Sequence, residues 1–77
     1  MIPVGSVVQF NENHKWCGTL GIVTEAKPCG DNGIRYMVGV PIPAEGTAFI
    51  FVMESEYAIE YIGIAAFVVS DKENGDE

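Results

Sequence analysis

Basic side chains are scarce in this sequence. Four Lys and Arg stand against eleven Asp and Glu, a formal net charge of −7 over 77 residues. Affinity for nucleic acid comes mainly from clustered Lys and Arg on phosphates, so direct nucleic-acid binding is not expected. Anionic membrane surfaces are disfavoured for the same reason. Long apolar runs are missing too: the longest, residues 62–69, is less than half of what a membrane-spanning helix needs. Cysteine occurs twice, and histidine and tryptophan once each. Two cysteines are too few for the stapled framework of a secreted mini-protein. Met1, Ile2 and Pro3 offer no basic export region, so a cytoplasmic location with Cys17 and Cys29 as reduced thiols is expected. A Cys17–Cys29 bridge is the alternative, and closing that short loop would contribute roughly 3 kcal/mol.

A chain of this length is one domain and buries only about 60% of its unfolded surface. Close to half of its residues are hydrophobic, which excludes disorder throughout. The charge is uneven. Residues 1–53 carry Lys15, Lys27 and Arg35 against Glu12, Glu25, Asp31 and Glu45. Residues 54–77 carry Lys72 against Glu54, Glu56, Glu60, Asp71, Glu73, Asp76 and Glu77. A single domain over 1–69 with an acidic, frayed tail over 70–77 is expected.

The dominant period is two. Residues 6–10, 20–25, 34–40 and 47–53 read as strands, and 57–69 as two short strands or one strand bulged at Gly63. In the third segment Ile34, Tyr36, Val38 and Val40 share one face, and Arg35, Met37 and Gly39 the other. The fourth is apolar on both faces, with Phe49, Phe51 and Met53 on one side and Ala48, Ile50 and Val52 on the other. Residues 11–18, 27–33 and 41–46 supply the turns, and Pro41 marks a strand end or an edge. One helical turn fits residues 53–56. A two-turn helix over 54–62 is the competing reading, opposed by the β-branched and aromatic residues there. The expected fold is all-β: a small SH3-like barrel of five to six short antiparallel strands with at most one helical turn.

That pattern carries a resemblance. Val4-Gly5-Ser6-Val7-Val8, a loop holding Trp16, Gly18 and Gly21-Ile22-Val23, then Tyr36, Val38 and Val40, resemble an SH3-like barrel of the KOW or translation-protein type. The segment 56–63 is similar to the short turn and final strand that close such barrels. The resemblance spans roughly residues 3–63. RNA-binding KOW modules are usually basic, and this chain is acidic. Residues 64–69 also add an apolar strand beyond the usual barrel.

Chemistry-bearing residues are few. His14, Cys17, Cys29 and Asp31 lack the paired spacing of a structural zinc site, so no metal or other cofactor is expected. A Cys–His nucleophile would need an orienting acid that the sequence does not supply, so the chain does not read as an enzyme. Gly30, Asp31, Asn32 and Gly33 read as a turn rather than a phosphate loop. Trp16, in a polar loop, either plugs the barrel end or anchors a partner. Phe49 and Phe51 are covered by residues 64–69, by a second copy in a homodimer, or by another protein.

The leading expectation is therefore a protein-interaction module. Its candidate partner-binding residues are His14, Lys15, Trp16 and Arg35 at the loop end, with Phe49 and Phe51 as an apolar surface. The alternative is an acidic inhibitor or nucleic-acid mimic of phage or mobile-element type. It would present Glu54, Glu56, Glu60, Asp71 and Glu73 to a basic partner protein.

Overall fold

The computed structural model describes residues 1–65. Five strands run in chain order: β1 (Ser6–Phe10), β2 (Leu20–Pro28), β3 (Ile34–Ile42), β4 (Gly46–Met53) and β5 (Ile59–Ile64). They form one antiparallel sheet in the order β4-β3-β2-β1-β5. The fold is all-β, and this arrangement is compatible with a small barrel. The helical turn expected before the last strand is the 3-10 turn Glu54–Glu56. Tyr57, with φ +50°, ends it and turns the chain into β5. A two-turn helix over 54–62 therefore does not form. A second 3-10 turn, Gly30–Asn32, lies in the β2–β3 connection.

The inner face buries Val8, Phe10, Val23, Tyr36, Val38, Val40, Val52 and Ala58. Each full burial of a Val or Phe contributes about 1.5–3 kcal/mol, so this face is what holds the sheet together. The Tyr36 hydroxyl accepts a hydrogen bond from the Ile2 amide at 3.0 Å, which ties the N-terminal segment over the core. Asn11 and Asn13 close the other seam. Their side-chain amides donate to the Tyr57 carbonyl at 2.8 and 3.0 Å, and the Asn11 amide donates to the Ala58 carbonyl at 2.9 Å.

Two irregularities shape the sheet. The β2–β3 register shifts between Val23 and Glu25, leaving Thr24 as an extra residue. That bulge lets β2 continue to Pro28, beyond the span its apolar pattern marks. The β1–β5 register shifts between Val7 and Val8, which pair with Gly63 and Tyr61, so the bulge falls on Ile62. Pro41 lies inside β3 opposite Thr47, beyond the last paired β2 position at Gly39. Locally β3 is an edge there, so the missing proline N–H forfeits no ladder bond. The added strand expected over 64–69 lies outside the described residues, except Ile64, which pairs with Ser6, and Ala65.

The β3–β4 turn holds a correctable strain. The Glu45 amide bonds to the Ile42 carbonyl at 3.0 Å, with Pro43 and Ala44 between them. Ala44 sits at φ +68°, the third position of a turn that favours glycine. Ala44→Gly is expected to stabilise the fold by about 0.5–1 kcal/mol, relief of the Cβ clash outweighing the added unfolded-chain entropy. Urea midpoints of the two proteins check this, and a lower midpoint for the variant refutes it.

Candidate functional site

The loop between β1 and β2 is built on Asn11 and His14. The Asn13 amide donates to Asn11 Oδ1 at 2.8 Å, and the His14 amide to the Asn11 carbonyl at 3.0 Å. His14 Nδ1 in turn accepts the Trp16 amide at 3.0 Å. These local bonds roll both rings inward onto Phe10. The His14 ring centroid lies 4.5 Å from that of Phe10, and Trp16 meets Phe10 edge-on at 6.5 Å. Trp16 is half-buried and packs against the core. Lys15 is exposed beside it.

Arg35 belongs to a different surface. The register sets it across from Lys27 on β2 and Met53 on β4. Its guanidinium carbon stands 4.7 Å from the centre of the Phe51 ring, a cation–π contact. Met37 pairs with Phe51, and Gly39 with Phe49. Phe49 and Phe51 are each 55% exposed on the outer face of the sheet. Strand β5 lies at the opposite edge of the sheet and leaves them uncovered.

Beside Phe49 runs a shallow, mostly apolar groove of about 410 Å³, lined by Ile22, Thr24, Gly39, Pro41, Thr47 and Phe49. Gly39 forms its floor. A Cβ there would sit 3.3 Å from Thr47 Cγ2 and 3.5 Å from both Phe49 Cε1 and Thr24 Cγ2. The glycine thus lets side chains of β2 and β4 close in from both sides. Sequence reasoning picked out Phe49 for this surface, with Phe51 beside it, and missed the rest of this groove. Alternation along β4 already placed Thr47 with them. The contributions of Ile22 and Thr24 depend on the bulge and could not be read from the sequence.

Among the described residues, each acidic side chain expected to face a basic partner accepts a hydrogen bond. Glu54 Oε1 accepts the Ile34 amide at 3.2 Å, and Glu56 Oε2 accepts the Met53 amide at 3.2 Å. Glu60 Oε2 accepts the Asn11 side chain at 3.3 Å. Each of these carboxylates serves an internal bond. Asp71 and Glu73 lie outside the described residues. Cys17 is exposed and Cys29 half-buried, both as free thiols. Among the described residues no three His, Cys, Asp or Glu side chains converge as a metal site. No helix among them is long and apolar enough to cross a membrane. The outer face of β3 and β4 presents two aromatic rings, a groove and one guanidinium. Comparison with protein-family models, curated proteins and solved structures finds no match for this chain.

Proposed function

We propose that the chain is a non-enzymatic protein-interaction module on a small SH3-like barrel, with the outer face of β4 as its docking surface. The meander order and the 3-10 turn before the last strand support the SH3-like reading. The observation that carries the docking reading is the pair of half-exposed phenylalanines on an eight-residue strand with no charge. Aromatic side chains supply large contact area at low entropic cost, and Arg35 against Phe51 adds a polar handle. His14 and Trp16, turned onto Phe10 in the first loop, lie outside this docking surface.

A photo-crosslinking residue at Thr47 tests this in native lysate. A discrete adduct is expected from position 47 and none from exposed Glu12 in the first loop. Phe49→Ser with Phe51→Ser should remove the adduct while the circular dichroism stays that of the parent. An adduct that survives the double substitution would sink the reading. The acidic-inhibitor reading draws on the net charge of −7 and requires an adduct lost steeply with salt. An apolar docking face predicts an adduct that persists in high salt.

A further inference from the structure

The sheet has two edges, β4 and β5, and they are not alike. Proteins blunt an exposed edge with charge, proline, a bulge or brevity. Strand β5 uses two of these devices, Glu60 and the bulge at Ile62. Strand β4 uses none. It pairs with β3 from Gly46 to Met53 without a register shift and contains no charged residue and no proline. Among the described residues no strand covers its other side.

The unpaired backbone groups of that side can be assigned. The Met53 amide donates to Glu56 Oε2, so it points away from β3. In an antiparallel ladder the N–H and C=O of alternate residues point the same way. Thr47, Phe49 and Phe51 therefore turn their backbone groups outward, and all three are exposed. Their side chains share the outer face. A strand added here would set its own apolar side chains beside Phe49 and Phe51, using the same residues that bond to the edge.

The charge at the two ends selects the occupant. Glu45 immediately precedes β4, and Glu56 lies in the turn that follows it, both exposed; Glu54 is turned to the Ile34 amide of β3. A second copy pairing antiparallel on this edge would bring Glu45 of each chain close to Glu56 of the other, whose carboxylate bonds the outward-pointing Met53 amide. Opposed like charges oppose that pairing. A segment ending in cations would be attracted at both ends. The cation on β3, Arg35, stacks on Phe51 away from the edge, and Lys27 lies one strand further in on β2.

We propose that the free edge of β4 is a strand-addition site for an extended polypeptide segment with alternating apolar residues and Lys or Arg at both ends. This rests on the reading of the β4 face as the docking surface and adds the backbone mode and the charge of the partner.

An acetylated, amidated peptide of sequence KTVTVTVK, titrated into isotope-labelled full-length protein, tests it by amide NMR. The amides of Thr47, Phe49 and Phe51 are expected to shift, and their hydrogen exchange to slow. N-methylation at the peptide's valines, which removes the edge-facing donors, should weaken binding by about tenfold or more. N-methylation at its threonines, which face solvent, should leave binding unchanged. Exchanging both terminal lysines for glutamates should also cost about tenfold. Equal binding of the glutamate-ended peptide overturns the proposal, as does equal loss from the two methylation patterns. Shifts at β4 that grow with protein concentration before peptide is added would give the edge to a second copy instead. If the peptide fails while the Thr47 adduct still depends on Phe49 and Phe51, strand addition falls and the docking face stands. If both fail, the functional reading falls with it.

Discussion

Gly21→Ala is expected to lower the free energy of unfolding by about 2–3 kcal/mol, although it adds a single methyl group. Strand β2 crosses β3 closely at this point. A Cβ on Gly21 would lie 2.5 Å from Val38 Cγ1, 3.0 Å from the Gly39 carbonyl oxygen and 3.1 Å from Val40 Cγ2. Val38 and Val40 are buried and β-branched, so neither has a free rotamer to retreat into. The carbonyl belongs to the ladder and cannot retreat without loosening β3. Pairing Gly21→Ala with Val38→Ala removes the closest obstruction. The double variant should therefore be more stable than the sum of the two single losses, by about 1 kcal/mol or more. Urea denaturation of the four proteins in the cycle measures this. Strict additivity would show that the crowding at Gly21 is not what makes the substitution costly.

Phe10→Ala should cost more still, about 3–5 kcal/mol. Phe10 is almost fully buried at the end of β1, and the rings of His14 and Trp16 both rest on it. A 77-residue chain has on the order of 4–11 kcal/mol of stability in total, so the variant is poised at or near unfolding. Trp16 is the single tryptophan, which makes its fluorescence a direct report on its packing against Phe10. The expected signature is a red-shifted emission that appears at lower urea than any change in the far-ultraviolet dichroism. Unchanged emission in native buffer would mean that Trp16 is held in place by something other than Phe10.

Much of this architecture was legible because it is local. Alternation alone groups Tyr36, Val38 and Val40 on one face of β3 and separates Phe49, Phe51 and Met53 from Ala48, Ile50 and Val52 on β4; burial then shows which side is the core. The turn at Glu54–Glu56 follows from its polar, non-β-branched residues standing between two strands. What was not legible depends on distant partners. Ile62 becomes a bulge because of the register that β1 imposes on β5. Glu54 reads as surface charge until β3 brings the Ile34 amide within 3.2 Å of it. Trp16 in a polar loop reads equally as a plug or an anchor, and the bond from its amide to His14 Nδ1, which sets the loop around the ring, is not legible in the sequence. The free edge of β4 is likewise a property of strand order, which no single strand's pattern encodes.

That strand order also sets a sequence of assembly. β3 pairs with β4 over eight positions and with β2 over six, always between neighbours along the chain. The β1–β5 seam instead joins Phe10 to Ile59 and Ser6 to Ile64, closing almost the whole described chain into one loop. Closing a loop of that length costs about 2 kcal/mol more than closing a hairpin. The three-stranded meander is therefore expected to form first in folding, with the two ends of the chain zipping together last. In the native protein the same seam opens first, so the amides of Asn11 and Ala65, which bond across it, exchange faster than those of β3. The half of the molecule that presents Phe49 and Phe51 is thus the early-forming, slow-opening half, and it keeps its shape through the fluctuations of the other.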